Sequence, residues 1–182
     1  MSKADWPGAV LDFWFEEIGE EGWWAGADST DTAIAERFGP LLEGRRDRPA
    51  GDFLGTPERA LAAVILFDQF SRNLFRGTAK AFSTDPLALE IAKRAIGKGY
   101  DAGYSEAQRQ FLYMPFMHSE ELADQQRSIE LFGALGDEEA LEFACEHRDI
   151  IARFGRFPHR NAALGREILP EEAAAAERGK NW

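Results

Sequence analysis

Two of the three histidines of this chain lie in a short basic segment, residues 147–166. The segment contains five arginines and one aspartate, although the whole chain carries a formal net charge of -11. Arginine pairs with carboxylates and phosphates, and histidine exchanges protons near neutral pH. The segment is therefore a candidate site for a small anionic ligand, or else its arginines pair with the protein's own acidic side chains. The candidate ligand-binding residues in this segment are Arg148, Arg156, His159 and Arg160.

Three side chains are candidates for acid–base catalysis, namely His118, His147 and Glu121. His147 lies in the middle of the apolar stripe of a predicted helix, and Glu121 begins a polar row that continues with Gln125. A histidine in such a stripe is more often a hydrogen-bonded core residue, and a polar row is more often an internally satisfied network. Both interpretations stay open beside a third, in which these groups line a pocket and Gln125 binds the ligand.

A further polar pair interrupts the most apolar helix of the chain. At about 100° per residue, Asp68 and Arg72 lie in one row with Leu61 and Ile65. Aspartate followed four residues later by arginine is a favourable helical ion pair, and a buried charge needs its partner. Asp68 and Arg72 therefore predict either a structural brace for a central helix or a binding site in which Arg72 also meets an anion.

Several other kinds of chemistry lack their sequence signatures. Neither His-Glu-x-x-His nor a pair of Glu-x-x-His motifs is present, so a metal site would require His118, His147 and His159 to converge in space. Glycine-rich nucleotide loops and a Gly-x-Ser-x-Gly nucleophile motif are also absent. The single cysteine, Cys145, lies inside a predicted helix, which is a poor position for a nucleophile. We therefore predict no metal and no cofactor, and acid–base chemistry remains.

Apolar spacing and capping residues predict that these side chains are positioned by helices alone. We expect an all-α chain of seven or eight helices, folded as a compact antiparallel domain of stacked helix pairs. No segment shows the period of two that marks a strand. Pro115 is expected to end or kink its helix. The residues that carry a capping signal are Thr56, Asp85, Ser105, Ser119 and Asp137. The predicted helices are Pro7–Ile18, Thr32–Leu42, Pro57–Asn73, Pro86–Gly97, Glu106–Met114, Glu120–Leu135, Glu138–Phe154 and Pro170–Arg178.

Length and composition bound the remaining possibilities. A chain of 182 residues, of which 45% are apolar, predicts one domain over residues 1–182 that buries roughly 70% of its unfolded surface. Acidic residues interrupt the N-terminal sequence where a signal peptide would be uncharged, and the longest apolar run, Ala60–Phe67, is too short to cross a membrane. We therefore expect a cytoplasmic protein. Its acidic net charge argues against nucleic-acid and membrane partners, and no pattern predicts its oligomeric state.

Five segments carry a longer recognisable pattern. They are VLDFWFEE (10–17), AERFG (35–39), LFDQFSRNLFRGTAKAFSTDPLAL (66–89), FLYMPFMHSEELADQQRSIELF (111–132) and HRDIIARFGRFPHRNAALGR (147–166). Together they closely resemble a widespread bacterial family defined as a domain of unknown function. The resemblance implies a tetratricopeptide-repeat-like, all-helical fold, and it implies no activity. This chain departs from the family pattern at Ser71, where proline is expected, and at Met117, where an acid is expected before His118.

Two functions from different classes are compatible with these patterns. The first is a binder or enzyme for a small anionic or polar ligand in a pocket lined by histidine, arginine and glutamate. The second is a non-catalytic module that binds a peptide or protein along a helical groove, with Phe13, Trp23 and Trp24 as candidate contacts unless they are ordinary core residues. A third possibility is that the arginines and histidines only hold the C-terminal segment against the helices.

Overall fold

The computed structural model describes residues 5–23 and 28–179. The described residues are 77% helical, their helices pack together, and these ranges contain no strand. The predicted all-α class is therefore confirmed, whereas the tetratricopeptide-repeat-like superhelix stays a prediction. Within the described ranges, no helix has the length and apolar character that a membrane span requires. Trp24, one of the candidate partner contacts, lies outside the described residues.

The helices follow one another through short connections. The α-helical segments are α1 (Trp6–Leu11), α2 (Gly19–Trp23), α3 (Asp28–Glu43), α4 (Pro57–Val64), α5 (Ser71–Leu74), α6 (Asp85–Gly97), α7 (Glu106–Met117), α8 (Leu122–Gly133), α9 (Glu138–Phe154) and α10 (Ala173–Arg178). Two π-helical segments extend them: Asp12–Ile18 follows α1, and Ile65–Phe70 joins α4 to α5. Short 3-10 turns occupy Ala50–Phe53, Ala79–Phe82, Tyr100–Gly103, Pro158–Arg160 and Pro170–Glu172.

The helical run from α4 through the π-helical segment to α5 is the centre of the fold, as predicted for Pro57–Asn73. Thr56 caps its start by accepting the backbone N–H of Arg59 at 3.2 Å, and Pro57 occupies the first helical position, where a missing N–H costs nothing. Every residue from 60 to 68 is buried, because α4 packs against α1, α6 and α7. A helix that is apolar on all sides suits this central position. Asp68 is the one charged residue between residues 60 and 68.

Aromatic side chains fill the core beside this central run. The ring of Phe70 lies 4.9 Å from that of Phe38, 5.8 Å from that of Phe13 and 5.5 Å from that of Trp14. Trp23 packs its ring edge-on to Phe111 and donates its indole N–H to the carbonyl of Trp14 at 2.7 Å. Phe13 is therefore an ordinary core residue and Trp23 is packed onto the core, which leaves the groove hypothesis without these two contacts.

Two helix boundaries near the candidate histidine differ from the prediction. The helix that starts at Glu106 passes through Pro115 and ends at Met117, three residues later than predicted, because a proline removes only its own N–H from the ladder. The next helix begins at Leu122 rather than at Glu120. Ser119 does not cap that helix, and its hydroxyl instead accepts the backbone N–H of Glu121 and donates to Asp124.

The capping interpretation is also wrong for Asp85. This residue lies inside the first turn of α6, after Thr84 at the N-cap, and makes no cap hydrogen bond. Its carboxylate instead binds two arginines, as described below. By contrast, Ser105 forms the predicted capping box with Gln108, and Asp137 accepts the backbone N–H groups of Glu139 and Ala140 in the first turn of α9.

Residues 155–179 fold back onto the helices and contain two arginines that bind glutamates. Gly155, with φ of +67°, ends α9 in the left-handed conformation that glycine adopts freely. Glu120 accepts the backbone N–H of Phe157 at 2.8 Å and binds the guanidinium of Arg166 at 2.8 and 2.9 Å. Glu172 binds Arg156 at 2.7 and 2.9 Å. The Glu120 contacts join the C-terminal segment to the residues before α8, whereas the pair of Arg156 and Glu172 lies within the segment.

The end of α10 offers a test of how closely this segment packs. A Cβ added at Gly179 would overlap the ring of His159, approaching its Cγ to 2.8 Å and its Cβ to 3.0 Å. We expect Gly179→Ala to lower the free energy of unfolding by about 1–3 kcal/mol, the usual range for forcing extra volume into a packed site. Urea unfolding followed by circular dichroism measures this change.

The matched control is Gly97→Ala, at an exposed helical position where an added Cβ meets nothing within 4 Å. Alanine there is expected to stabilise the protein by about 0.4–1 kcal/mol, because it restricts the unfolded chain. Equal effects of the two substitutions would show that the end of α10 is not docked on His159.

Candidate functional site

A buried aspartate and a partly exposed histidine form the centre of the candidate site. Asp68 lies in the π-helical segment and is 0% exposed, and its Oδ1 is 2.8 Å from Nδ1 of His118, the residue that follows α7. The other carboxylate oxygen of Asp68 accepts the side-chain amide of Gln69 at 2.6 Å. Since an ionised carboxylate can only accept, we assign the proton of His118 to Nδ1.

The second ring nitrogen of His118 faces the outside of the cluster. The side chain is 17% exposed, and Nε2 has no hydrogen-bond partner in the part of the chain that the structure describes. Met117, where the family pattern has an acid, is buried in the core. The carboxylate beside His118 therefore comes from Asp68, 50 residues earlier in the sequence.

Arg72 joins this pair to a second carboxylate. Its Nη1 lies 3.2 Å from Oδ1 of Asp68 and donates to the Asp68 backbone carbonyl at 2.7 Å. The same guanidinium binds Asp85 with two hydrogen bonds, of 2.9 and 3.0 Å. The ion pair predicted between Asp68 and Arg72 is confirmed. The paired geometry toward Asp85 is the strong, planar form of such a contact.

Arg160 approaches the same carboxylate from the C-terminal segment. Its side chain is only 7% exposed, and Nη1 lies 3.4 Å from Oδ2 of Asp85. The guanidinium carbon is 4.8 Å from the ring centre of Phe82 and 4.4 Å from that of Phe157, so the group is in contact with two aromatic rings. Its Nε is buried without a hydrogen-bond partner among the described residues.

The charges of this cluster shift the pKa values of its members. Burial alone raises the pKa of Asp68, but the charge of Arg72 and the contact with His118 outweigh burial and hold this pKa at about 2. Burial and the charge of Arg72 lower the pKa of His118 below its usual value, although Asp68 opposes them. The resting form at neutral pH is therefore an aspartate beside a neutral imidazole whose Nε2 can accept a proton.

The other two histidines lie on either side of Phe157. The ring of His147 is 5.5 Å from that of Phe157, and its Nδ1 is 2.8 Å from the carbonyl oxygen of Phe143. The ring of His159 is also 5.5 Å from that of Phe157. Burial lowers the pKa of His147 to about 3 and, together with Arg160, lowers that of His159 to about 4. His147 thus occupies the buried position that its place in the stripe predicted.

Gln125 donates hydrogen bonds to the backbone around His118 and does not line an opening. It is fully buried, and its amide nitrogen donates to the carbonyls of Met117 at 2.6 Å and of Ser119 at 2.7 Å. These two residues flank His118 in the sequence. The hydrogen bonds of the Gln125 amide nitrogen fix the turn that carries the histidine, whereas its Oε1 is buried without a hydrogen-bond partner among the described residues.

Three of the predicted site residues lie away from this cluster. Glu121 is exposed at the N-cap of α8, and the guanidinium of Arg148 binds its neighbour Asp149 at 2.6 Å. Arg156 binds Glu172, as described above. The structure thus brings together Asp68, Arg72, His118 and Arg160, with His147 and His159 behind them.

Sequence reasoning missed four contributors to the cluster. Asp85 precedes a proline, and this combination is also a common helix start, so the capping interpretation hid it. Gln69 lies next to Asp68, but no spacing rule marks it as a partner of that carboxylate. Phe82 and Phe157 hold Arg160 through contacts between segments that are far apart in the sequence, and no local pattern predicts them.

The side chains of the cluster are only slightly exposed, by 17% for His118 and 21% for Arg72. Two cavities of about 230 and 130 Å³ are lined by other residues, the larger beside Tyr104 and the smaller beside Arg153. Among the described residues, no group of three or more histidine, cysteine, aspartate or glutamate side chains is placed to hold a metal ion. What the arrangement offers is a neutral imidazole oriented by a carboxylate, next to two guanidinium groups.

Comparison with known proteins gives a relative of similar fold. The chain is similar to a protein of unknown function from Agrobacterium tumefaciens, with 43% sequence identity and a TM-score of 0.90 over 97% of this chain and 99% of that chain. No curated protein sequence matches it. A family model described as a bacterial protein of unknown function (DUF924) matches residues 10–180. Because this match spans nearly the whole chain, the protein belongs to that family of bacterial proteins.

Proposed function

We propose that the protein is an enzyme that acts on a small polar substrate, with His118 as its general acid–base residue. The observation that carries the proposal is the 2.8 Å contact between Nδ1 of His118 and buried Asp68, which leaves Nε2 of the imidazole directed outward. An imidazole held in one tautomer by a carboxylate is a recurrent arrangement for proton transfer.

The cluster supports each stage of such a proton transfer. Nε2 of His118 takes a proton from a substrate group or from a water molecule within hydrogen-bond distance, and the ring becomes an imidazolium. The carboxylate of Asp68 stabilises that positive charge, and Nε2 then returns the proton to the leaving or receiving atom. Arg72 has a positioning role, because it binds both the carboxylate and the backbone carbonyl of Asp68.

The surrounding structure is rigid enough to keep this geometry. Asp68 belongs to the most buried stretch of the fold, and Gln125 fixes the turn that carries His118 through two carbonyl groups. A catalytic group whose neighbours are locked by packing and hydrogen bonds needs little reorganisation during the reaction. The small exposed area of the cluster favours a substrate of low molecular mass.

Turnover of small molecules tests the proposal. Purified protein is incubated with the metabolites extracted from bacterial cells, and mass spectrometry follows which compounds are consumed and which are formed. We expect His118→Gln to slow the consumption of the affected compound at least 100-fold, because general acid–base catalysis contributes about 10²–10⁴-fold. Purified substrate then allows kcat and KM to be measured separately.

The matched control is Arg148→Met, which changes a surface residue bound to its neighbour Asp149. This variant should turn over the compound at the wild-type rate. Consumption of no metabolite by the wild-type protein, or equal rates for wild type and His118→Gln, would contradict an acid–base role for His118.

A further inference from the structure

We propose that Arg160 binds an anionic group of the substrate, a carboxylate or a phosphate, and so positions the substrate next to His118. This inference rests on the function proposed above and names the class of substrate that the same site takes. Its basis is a contrast between Arg160 and three arginines that bind both oxygens of a carboxylate, namely Arg72, Arg156 and Arg166.

Arg160 uses very little of its hydrogen-bonding capacity. A guanidinium has five N–H groups, yet within the described residues this one makes a single hydrogen bond, at 3.4 Å to Asp85. Its Nε–H is buried and unpartnered. Arg72, by comparison, makes three hydrogen bonds of 3.0 Å or less, and Arg156 and Arg166 each bind both oxygens of a glutamate.

The carboxylate nearest to Arg160 is already occupied. Both oxygens of Asp85 accept hydrogen bonds from Arg72, at 2.9 and 3.0 Å, and Arg160 shares only one of those oxygens at the longer distance. Burial and the nearby charge of Arg72 lower the pKa of Arg160 to about 10, as expected for a cation whose charge is incompletely balanced. A bound anion would supply the missing charge and accept the unused N–H groups.

The two rings beside Arg160 make the guanidinium a prepared binding group. Phe82 and Phe157 lie 4.8 and 4.4 Å from its carbon and restrict its rotation, so little side-chain entropy is lost when an anion binds. A planar guanidinium matches the paired oxygens of a carboxylate or of a phosphate. Flexible surface lysines and arginines lack this restriction.

Arg160 also belongs to the same continuous set of contacts as His118. The set runs from Arg160 to Asp85, from Asp85 to Arg72, and from Arg72 to Asp68, whose Oδ1 binds His118. An anion held by Arg160 is therefore bound at the other end of the set of contacts that orients His118. The carboxylates in the set and the net charge of -11 repel long polyanions, which excludes nucleic acid as the anion.

Nuclear magnetic resonance of the arginine side chains tests the inference directly. Inorganic phosphate and acetate are titrated in separate experiments at constant ionic strength, and the Nε–H signal of Arg160 is followed in the isotopically labelled protein. We expect a saturable shift of this signal with at least one of the two anions, and the responding anion identifies the group on the substrate. A response that grows without saturation, or none up to tens of millimolar, would overturn the inference.

Variants assign the binding to the side chain. Arg160→Met should weaken the binding of the responding anion at least tenfold, whereas Arg148→Met, which removes the same side chain from the same basic segment, should leave it unchanged within twofold. If Arg160→Met does not fold, Arg160→Lys keeps the charge but loses the planar fork, and it should also weaken binding. Unchanged affinity in the folded Arg160 variant would overturn the inference.

The experiment separates this inference from the proposed acid–base role. His118→Gln should bind the responding anion with wild-type affinity while losing turnover. Saturable binding at Arg160 combined with unchanged turnover in His118→Gln would support the anion subsite and contradict the acid–base role. Loss of turnover in His118→Gln without any anion binding at Arg160 would support the acid–base role and contradict the anion subsite.

Discussion

Lowering the pH from 7 to 4 is expected to remove about 3 kcal/mol of the free energy of unfolding through His147 alone, with a further loss from His159. In the folded protein the pKa of His147 is about 3 and that of His159 is about 4, whereas an unfolded chain has histidine pKa values near 6.5. Below about pH 6.5 the unfolded state therefore binds protons that the folded state does not bind. Stability is fully present above this pH and is lost as the pH falls toward 4.

Urea unfolding at several pH values between 4 and 7 measures this loss. His147→Gln has no group to protonate at this position. The slope of its free energy of unfolding against pH should therefore be smaller than that of the wild type, by the amount that corresponds to about one bound proton. The control is Glu142→Gln, on the exposed face of the same helix, which should keep the wild-type dependence. The same slope for wild type and His147→Gln would contradict a buried, neutral His147. The ionised form of Asp68 persists throughout this range, because its pKa is about 2.

Asp68→Asn is expected to lower the free energy of unfolding by about 3–5 kcal/mol at pH 7. The substitution removes the fully buried charge of the pair and leaves Arg72, which is 21% exposed, with the carboxylate of Asp85 but without that of Asp68. It also replaces the charged acceptor of the His118 proton with a neutral amide oxygen. Urea unfolding at low temperature measures the loss.

The exposed ion pair between Asp52 and Arg48 provides the matched control. It has the same residue types at the same spacing of four, but its atoms are 3.7 Å apart and both side chains are exposed. Asp52→Asn should change stability by less than about 1 kcal/mol. A second measurement is the pKa of His118, which should fall further in Asp68→Asn because the carboxylate that raises it is gone. Equal effects of the two substitutions would contradict the burial of Asp68.

Most of the helices could be predicted because their signals are local. Apolar spacing, a capping residue and a proline at the first position all lie within about one turn of each other, as at Thr56 and Pro57. The prediction failed where a residue with a capping signal binds a side chain that is distant in the sequence. Asp85 has the sequence of a cap, but the guanidinium of Arg72 provides a stronger partner than a backbone N–H.

The candidate site could be predicted only in part, for the same reason. Asp68 and Arg72 are four residues apart, so helical spacing alone brings them together. His118 meets Asp68 from 50 residues away, and Arg160 meets Asp85 from 75 residues away. Such contacts depend on how helices pack, and the packing is set by aromatic residues such as Phe70 whose rings carry no information about chemistry.

The π-helical segment Ile65–Phe70 makes the length of this stretch as important as its composition. A π-helical turn closes its hydrogen bond over five residues where an α-helix uses four, so the segment accommodates an additional residue within an otherwise continuous helix. Deletion of one residue here would restore ordinary α geometry and leave the buried surface apolar. It would also remove the widened turn from which Asp68 contacts His118, although the helical residues on either side would keep their register. In evolutionary terms, a change in the number of residues in this segment would dismantle the site at once, even if the deleted residue were an apolar one.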